Sequence, residues 1–238
     1  ANRNERLKVY ACDFSKKAVE VMRGSEAYDE RFMQADVWDV AAVPTESDTG
    51  LPPDVGEESV DVVIMIFIFS ALAPGQWDQA LRNIWRVLKP GGLVLFRDYG
   101  RGDLAQVRFK KGRYLDENFY VRGDGTRVYF FEKEELVEIW TGKRSRTEED
   151  VAAKMNGLSV KEENNSESEM STEHASSSPD TPAFEVLDIG VDRRMLVNRQ
   201  RRLKMYRCWM QARFQKPTKE AEGTTVLDEI HKHSHADP

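Results

Sequence analysis

Residues 60–97 constrain the fold more than any other stretch of this chain. Val60 to Phe67 (VDVVIMIF) is a short apolar run dense in β-branched residues, the composition of a strand buried on both faces. Gln76 to Leu88 sets Ala80, Leu81, Ile84, Val87 and Leu88 at helical spacing and is stopped by Pro90. Leu93 to Arg97 is a second apolar strand, entered through the turn Lys89-Pro90-Gly91-Gly92. A strand, a helix and a strand in that order predict a parallel crossover unit. The alternation also stands upstream. Leu7 to Cys12 reads as a strand. Lys16 to Met22 reads as a helix with Ser15 as its N-cap and Ala18, Val19 and Met22 on one face. Phe32 to Ala35 reads as the next strand. The expected class is α/β, with a doubly wound sheet.

Further along, Val43 to Glu58 is a loop punctuated by Pro and Gly. Arg127 to Phe131 is extended, and Lys133 to Thr141 is a helix with Leu136, Val137, Ile139 and Trp140 on its apolar side. Phe184 to Val191 and Leu203 to Phe214 are two more strands. Between them, 143–182 is polar and almost free of aromatics. It cannot bury enough surface to offset its ordering entropy, and disorder is expected. The expected organisation is one domain over 1–217 carrying that insert, then a loose tail over 218–238.

Bulk properties narrow the function classes. The longest apolar run, Val60 to Pro74, contains Asp61 and is too short to span a bilayer. The first residues (ANRNERLK) are charged, so no signal peptide is expected. Two cysteines, Cys12 and Cys208, give neither a disulfide framework nor a zinc site. A reducing, cytoplasmic location is the expectation. The net charge of −6 conceals segregation. Arg193 to Lys216 holds nine Lys and Arg and no acidic residue, whereas Thr147 to Pro182 holds nine acidic residues against two Lys. Local fields decide what docks where.

Several positions carry chemistry. Asp13 closes a strand and precedes a helix, where a carboxylate can accept both hydroxyls of a ribose or form an Asx turn. Asp36 lies at the next strand end. Asp98 and Tyr99 leave the strand Leu93 to Arg97 at its carboxyl end, the edge where open parallel sheets form their crevices. Arg101, Arg108, Lys110, Lys111, Arg113 and Arg122 alternate with Phe109, Tyr114, Phe119 and Tyr120. Such a mixture suits single-stranded loop RNA, with phosphates held by charge and bases by stacking, although a solvated loop has the same look. Asn118 and Asp124 suit turns. His231, His233 and His235 alternate near the terminus and read as tail rather than a metal site.

The strings Arg97-Asp98-Tyr99-Gly100 and Glu117 to Arg127 (ENFYVRGDGTR), following the Lys-Pro-Gly-Gly turn, resemble the tRNA 3-methylcytidine methyltransferases. The resemblance spans roughly Leu7 to Gly142 and Arg193 to Pro217. Val197-Asn198-Arg199 and Met205 to Trp209 look most like the branch acting on threonine and arginine tRNAs. It implies a class I, Rossmann-like methyltransferase fold using S-adenosylmethionine to form 3-methylcytidine in a tRNA anticodon loop. Asp13 and Phe14 would then face the cofactor ribose, Asp36 and Val37 its adenine, and Ile66 would wall the pocket. Asp98 and Tyr99 would hold the cytosine, and tRNA would be the partner, with an auxiliary protein for tRNA selection. By the same resemblance Leu7 to Cys12 is the second strand of the fold. The sheet is therefore expected to lack its first strand and the Gly-rich loop that follows it, as a truncated chain would. Two rival readings remain at this point. One is a small-molecule methyltransferase of the same fold. The other is a non-catalytic protein that binds RNA or a partner.

Overall fold

The computed structural model describes residues 7–143, 182–200 and 202–218. Its sheet is in two parts. In the first, β1 (Val9–Asp13) and β2 (Met33–Val37) run parallel, in register from Val9 opposite Met33 to Asp13 opposite Val37. Helix α1 (Lys16–Arg23) connects them, and the Ser15 hydroxyl caps it by accepting from Ala18 N at 3.3 Å. Both strands end later than the sequence reading placed them, so Asp13, Asp36 and Val37 are strand residues.

The second part contains β3 (Val60–Ile66), α2 (Trp77–Val87) and β4 (Leu88–Tyr99). It is completed by β8 (Glu185–Asn198) and β9 (Leu203–Gln215), in the order β3-β4-β9-β8. β3 and β4 are parallel, and β9 is antiparallel to both β4 and β8. The expected turn at Lys89 to Gly92 is instead a bulge inside β4. Pairing jumps from Val60–Leu88 to Val62–Leu93, and Gly91 takes a φ of 78°, a left-handed conformation that glycine adopts at little cost. β8 runs to Asn198, well past the predicted end at Val191, because β9 pairs with it throughout. The segment after β4 forms a short helix α3 (Leu104–Val107). A meander follows: β5 (Tyr114–Asp116), β6 (Phe119–Val121) and β7 (Arg127–Tyr129). Helix α4 (Lys133–Trp140) comes next. The expected insert lies outside the described residues apart from its ends, as does the tail beyond Thr218.

The core lies under the second part. Phe69, Trp77, Phe96, Phe131, Trp140 and Phe214 are fully or almost fully buried in one cluster. Trp140 and Phe214 stack at 4.2 Å between centroids, and Phe69 stacks on Trp77 at 5.6 Å. Such pairs add to plain area burial. β3 departs from the expectation of a strand buried on both faces. Val63 and Met65 turn toward the core, but Val62, Ile64 and Ile66 are exposed. Alternate strand side chains face opposite ways, and among the described residues no helix covers the second face. Nor does any described hydrogen bond join β1 to β3 as a ladder. A small cluster, Leu51, Val55 and Val87, bridges the two strands, with Tyr10 of β1 and Val60 and Val63 of β3 packed against it.

Candidate functional site

The exits of β3 and β4 gather most of the chemistry. Along β4 the side chains of Val94, Phe96 and Asp98 alternate onto the core side. Asp98 is thereby fully buried. Its Oδ2 accepts from Ser70 N at 2.9 Å and its Oδ1 from Tyr99 N at 2.8 Å. Burial pushes its pKa up from 3.8 to about 6, and the N–H and hydroxyl donors around it limit the rise. The sequence reading had this carboxylate leaving the strand to meet a cytosine amine. The structure instead directs it inward, because its position in the two-residue period of β4 is a core position.

Tyr99 occupies the opposite face of β4. Its ring lies 4.7 Å from Phe67, the first residue past β3. The Arg122 guanidinium sits over the Tyr99 ring at 5.1 Å, and that of Arg207 at 5.6 Å. Trp209, opposite Tyr99 in the ladder, carries Arg97 at 4.4 Å and Arg207 at 5.1 Å. Both of those arginines are ion-paired: Arg97 with Asp192 at 3.0 Å, Arg207 with Asp103 at 2.9 Å. Asp103 is fully buried, caps α3 through Ala105 N and also accepts from Cys208 N at 2.9 Å. Phe67, Arg97, Asp103, Arg207 and Trp209 were not singled out from sequence. Cys208 is buried, as expected of a packed residue.

The expected cofactor residues lie at the carboxyl ends of β1, β2 and β3. Asp13 is half-buried, and its Oδ1 accepts from Ser15 N at 2.7 Å, the Asx turn foreseen as the alternative. Asp36 pairs with Arg23 at 2.7 Å and accepts from the Gln34 amide at 2.9 Å. Beside Asp36, burial and the carboxylate push the Cys12 thiol up to about 11. Phe14, Val37 and Ile66 are 77%, 46% and 52% exposed. A carboxylate at a strand end with uncovered apolar side chains beside it fits a nucleoside, with hydroxyls to bond and a ring to cover. These residues fit S-adenosylmethionine in that respect. Among the described residues no Gly-rich turn stands next to Asp13, since the first glycine is Gly24.

The basic residues divide. Arg101 pairs with Glu132. Arg108, Lys110, Lys111 and Arg113 are exposed between α3 and β5, and Arg113 Nη1 donates to Arg122 O at 3.2 Å. Arg122 alone of this group reaches Tyr99. Asn118 and Asp124 serve turns: Asn118 has a φ of 55°, and Asp124 accepts from Thr126 N at 2.9 Å. Past Tyr99, β8 and β9 continue without β4 as a two-stranded ribbon, from Arg193–Cys208 to Asn198–Leu203. Arg193, Arg194, Lys204 and Tyr206 are exposed along it.

Comparison with known proteins places this geometry. A family model described as a methyltransferase domain matches residues 1–94. The chain is 47% identical over 91% of its length to the tRNA(Thr) (cytosine(32)-N(3))-methyltransferase of Saccharomyces cerevisiae. It is 44% identical over 90% to the tRNA N(3)-methylcytidine methyltransferase of Schizosaccharomyces pombe. Over about nine tenths of its length the chain is similar to tRNA 3-methylcytidine methyltransferases. It spans 28% of the first relative and 55% of the second. A human relative, tRNA N(3)-cytidine methyltransferase METTL2B, is 38% identical over 91% of the chain, which covers 45% of it. Among solved structures, an S-adenosylmethionine-dependent methyltransferase from Methanosarcina mazei superposes with a TM-score of 0.50. The match covers 89% of this chain and 83% of that one at 16% identity, and supports the class I fold.

Proposed function

We propose that the protein containing this chain methylates ring nitrogen 3 of a cytidine in a tRNA anticodon loop, with S-adenosylmethionine as the methyl donor. The observation that carries this reading is the 47% identity, across 91% of the chain, to a yeast enzyme whose name specifies that reaction. The cofactor, when bound, supplies an electrophilic methyl carbon. Ring nitrogen 3 of neutral cytosine already carries a lone pair, so no strong base is needed and positioning carries the rate. Tyr99 is the proposed contact with the base. Asp98 acts beneath it, holding the Ser70 turn and the Tyr99 amide in place. Asp13 is assigned to the ribose hydroxyls, with Phe14 beside it. Asp36 and Val37 are assigned to the adenine, and Ile66 to the pocket wall. Arg101, Arg108, Lys110, Lys111, Arg113 and Arg122 are assigned to tRNA phosphates, a role that suits exposed cations interleaved with aromatics. Selection among tRNAs with an auxiliary protein, and a cytoplasmic location, complete the proposal. No helix among the described residues is long and apolar enough to cross a membrane.

The test is nucleoside mass spectrometry of tRNA incubated with the full-length protein and cofactor. Appearance of 3-methylcytidine supports the reading, and its absence from every tRNA overturns it. Two variants assign roles within it. Asp13→Asn should weaken cofactor binding by about 1–3 kcal/mol, the scale of a lost charge-assisted hydrogen bond. Neutralising Arg108, Lys110, Lys111 and Arg113 together should weaken tRNA binding and flatten its salt dependence by roughly one slope unit per lost phosphate contact. An unchanged slope would return these four to a solvated surface.

A further inference from the structure

Phe67 has a backbone that its side chain does not suit. Its φ is 58°, in the left-handed region. The other described residues other than glycine with positive φ are Asp54, Glu58, Asn118 and Arg202, all polar. Asparagine or glycine tolerates this conformation, whereas a bulky residue there is an outlier that persists only where its surroundings fix it. Here they do. Phe67 N donates to Arg97 O at 2.8 Å, Ser70 N donates to the buried Asp98 at 2.9 Å, and the intervening Phe69 is sunk in the core. The turn is pinned on both sides of Phe67, and the ring is held where the turn puts it.

That place is not the core. Phe67 is only half-buried and stands apart from the main buried cluster. One side of its ring meets Tyr99, 4.7 Å away and tilted by 33°, and Trp209 approaches edge-on at 6.3 Å. No other aromatic or cationic group contacts the ring among the described residues. On either side in sequence stand the exposed Ile66, assigned above to the cofactor wall, and the exposed Ile68. Phe67 thus lies between the residues proposed for the methyl donor and the Tyr99–Arg122 corner proposed for the acceptor.

We infer that Phe67 is a stacking platform for the acceptor base. The inference rests on the reading of a nucleotide acceptor and adds a residue to it. The strained backbone presents an aromatic face where glycine would relieve the strain, so the ring is what the position supplies. Base–aromatic stacking is tolerant of base identity because every base has a π face. Phe67 therefore contributes affinity and orientation, and selection of cytidine falls to other groups.

The test uses Phe67→Tyr and Phe67→Leu in the full-length protein. Both keep a Cβ and so the same backbone strain, but only Tyr keeps a flat π face. The probe is a fluorescein-labelled single-stranded oligocytidine, read by anisotropy, alongside cofactor binding and thermal midpoints. Phe67→Leu should weaken oligonucleotide binding about tenfold, within the range for one lost stack. Phe67→Tyr should stay within about twofold of the parent, and cofactor affinity and midpoints should not move. Phe67→Gly, which removes the strain together with the ring, should lose binding as Phe67→Leu does. Parent-like binding by Phe67→Leu, or equal losses in the Tyr and Leu variants, would overturn the inference. If the parent makes no 3-methylcytidine, the tRNA reading fails separately, and the oligonucleotide series still decides Phe67.

Discussion

The two parts of the sheet are held together by different means. The β3-β4-β9-β8 part rests on rings: Phe69, Trp77, Phe96, Phe131, Trp140 and Phe214 interlock beneath it with almost no exposed surface. The β1-β2 part has little apolar support of its own, with Val19 on α1 and Ala35 on β2 its fully covered side chains. It leans on polar links. Arg23 donates to the Ala35 carbonyl at 2.8 Å and pairs with Asp36. The bonds of Asp13 are likewise local: its carboxylate accepts from Ser15 N and its carbonyl from Trp38 N. The proposed acceptor corner therefore stands on a rigid core, while the proposed cofactor residues Asp13 and Asp36 stand on a thin layer. Elements with few buried contacts open at lower free energy than the global transition.

The largest expected effect tests that contrast directly. Trp140→Ala removes a ring stacked on Phe214 at 4.2 Å and should cost about 3–5 kcal/mol in denaturant melts. Val19→Ala, on the thin side, should cost well under half of that. Native-state hydrogen exchange should open the β1 and β2 amides first. Equal costs at the two positions, or equal protection of the two parts, would break the comparison.

The next effect concerns pH. Asp98 has a folded pKa of about 6, raised above 3.8 by burial. Between those values the folded state binds the proton more tightly than the unfolded state does, so stability falls as pH rises from about 4 to about 6 and is flat above. The change is on the order of 3 kcal/mol at about 1.4 kcal/mol per unit. Asp192 behaves oppositely. Arg194 and Arg97 hold its carboxyl below 3.8, so its contribution is lost only as pH falls beneath that range. Denaturant melts from pH 3 to 8, with the Asp98 carboxyl carbon followed by NMR, check both. Titration of Asp98 near 4, with no stability loss between 4 and 6, would mean that its site is open to water.

The smallest effect sharpens the picture of the thin layer. Arg23→Ala should cost only about 1 kcal/mol, since the guanidinium is half-exposed and screened. Its effect should be local, speeding amide exchange around Ala35 and Asp36 while leaving β4 and β9 unchanged. Loss of protection across both parts would show that the thin layer is coupled to the core after all.

Local pattern alone determined much of this protein. The spacing of Ala80, Leu81, Ile84 and Val87 with Pro90 behind them, and the Ser15 cap before Lys16, settle α2 and α1, because helix periodicity and capping are completed within a few turns of chain. The strings around Asp98 and Glu117 to Arg127 likewise carried the resemblance to known methyltransferases. Tertiary structure alone decided which strand faces are covered and which residues meet. Val62, Ile64 and Ile66 have the composition of a buried strand but lie open, because burial depends on what packs from elsewhere. Asp98 turns inward and Tyr99 outward by their place in the register of β4 against β9. Phe67, Arg97, Asp103, Arg207 and Trp209 come from stretches of chain far apart in sequence, and none shows in its own window which of the others it will meet. They form one corner only when β3, β4 and β9 are laid side by side, a long-range pairing that no local spacing encodes.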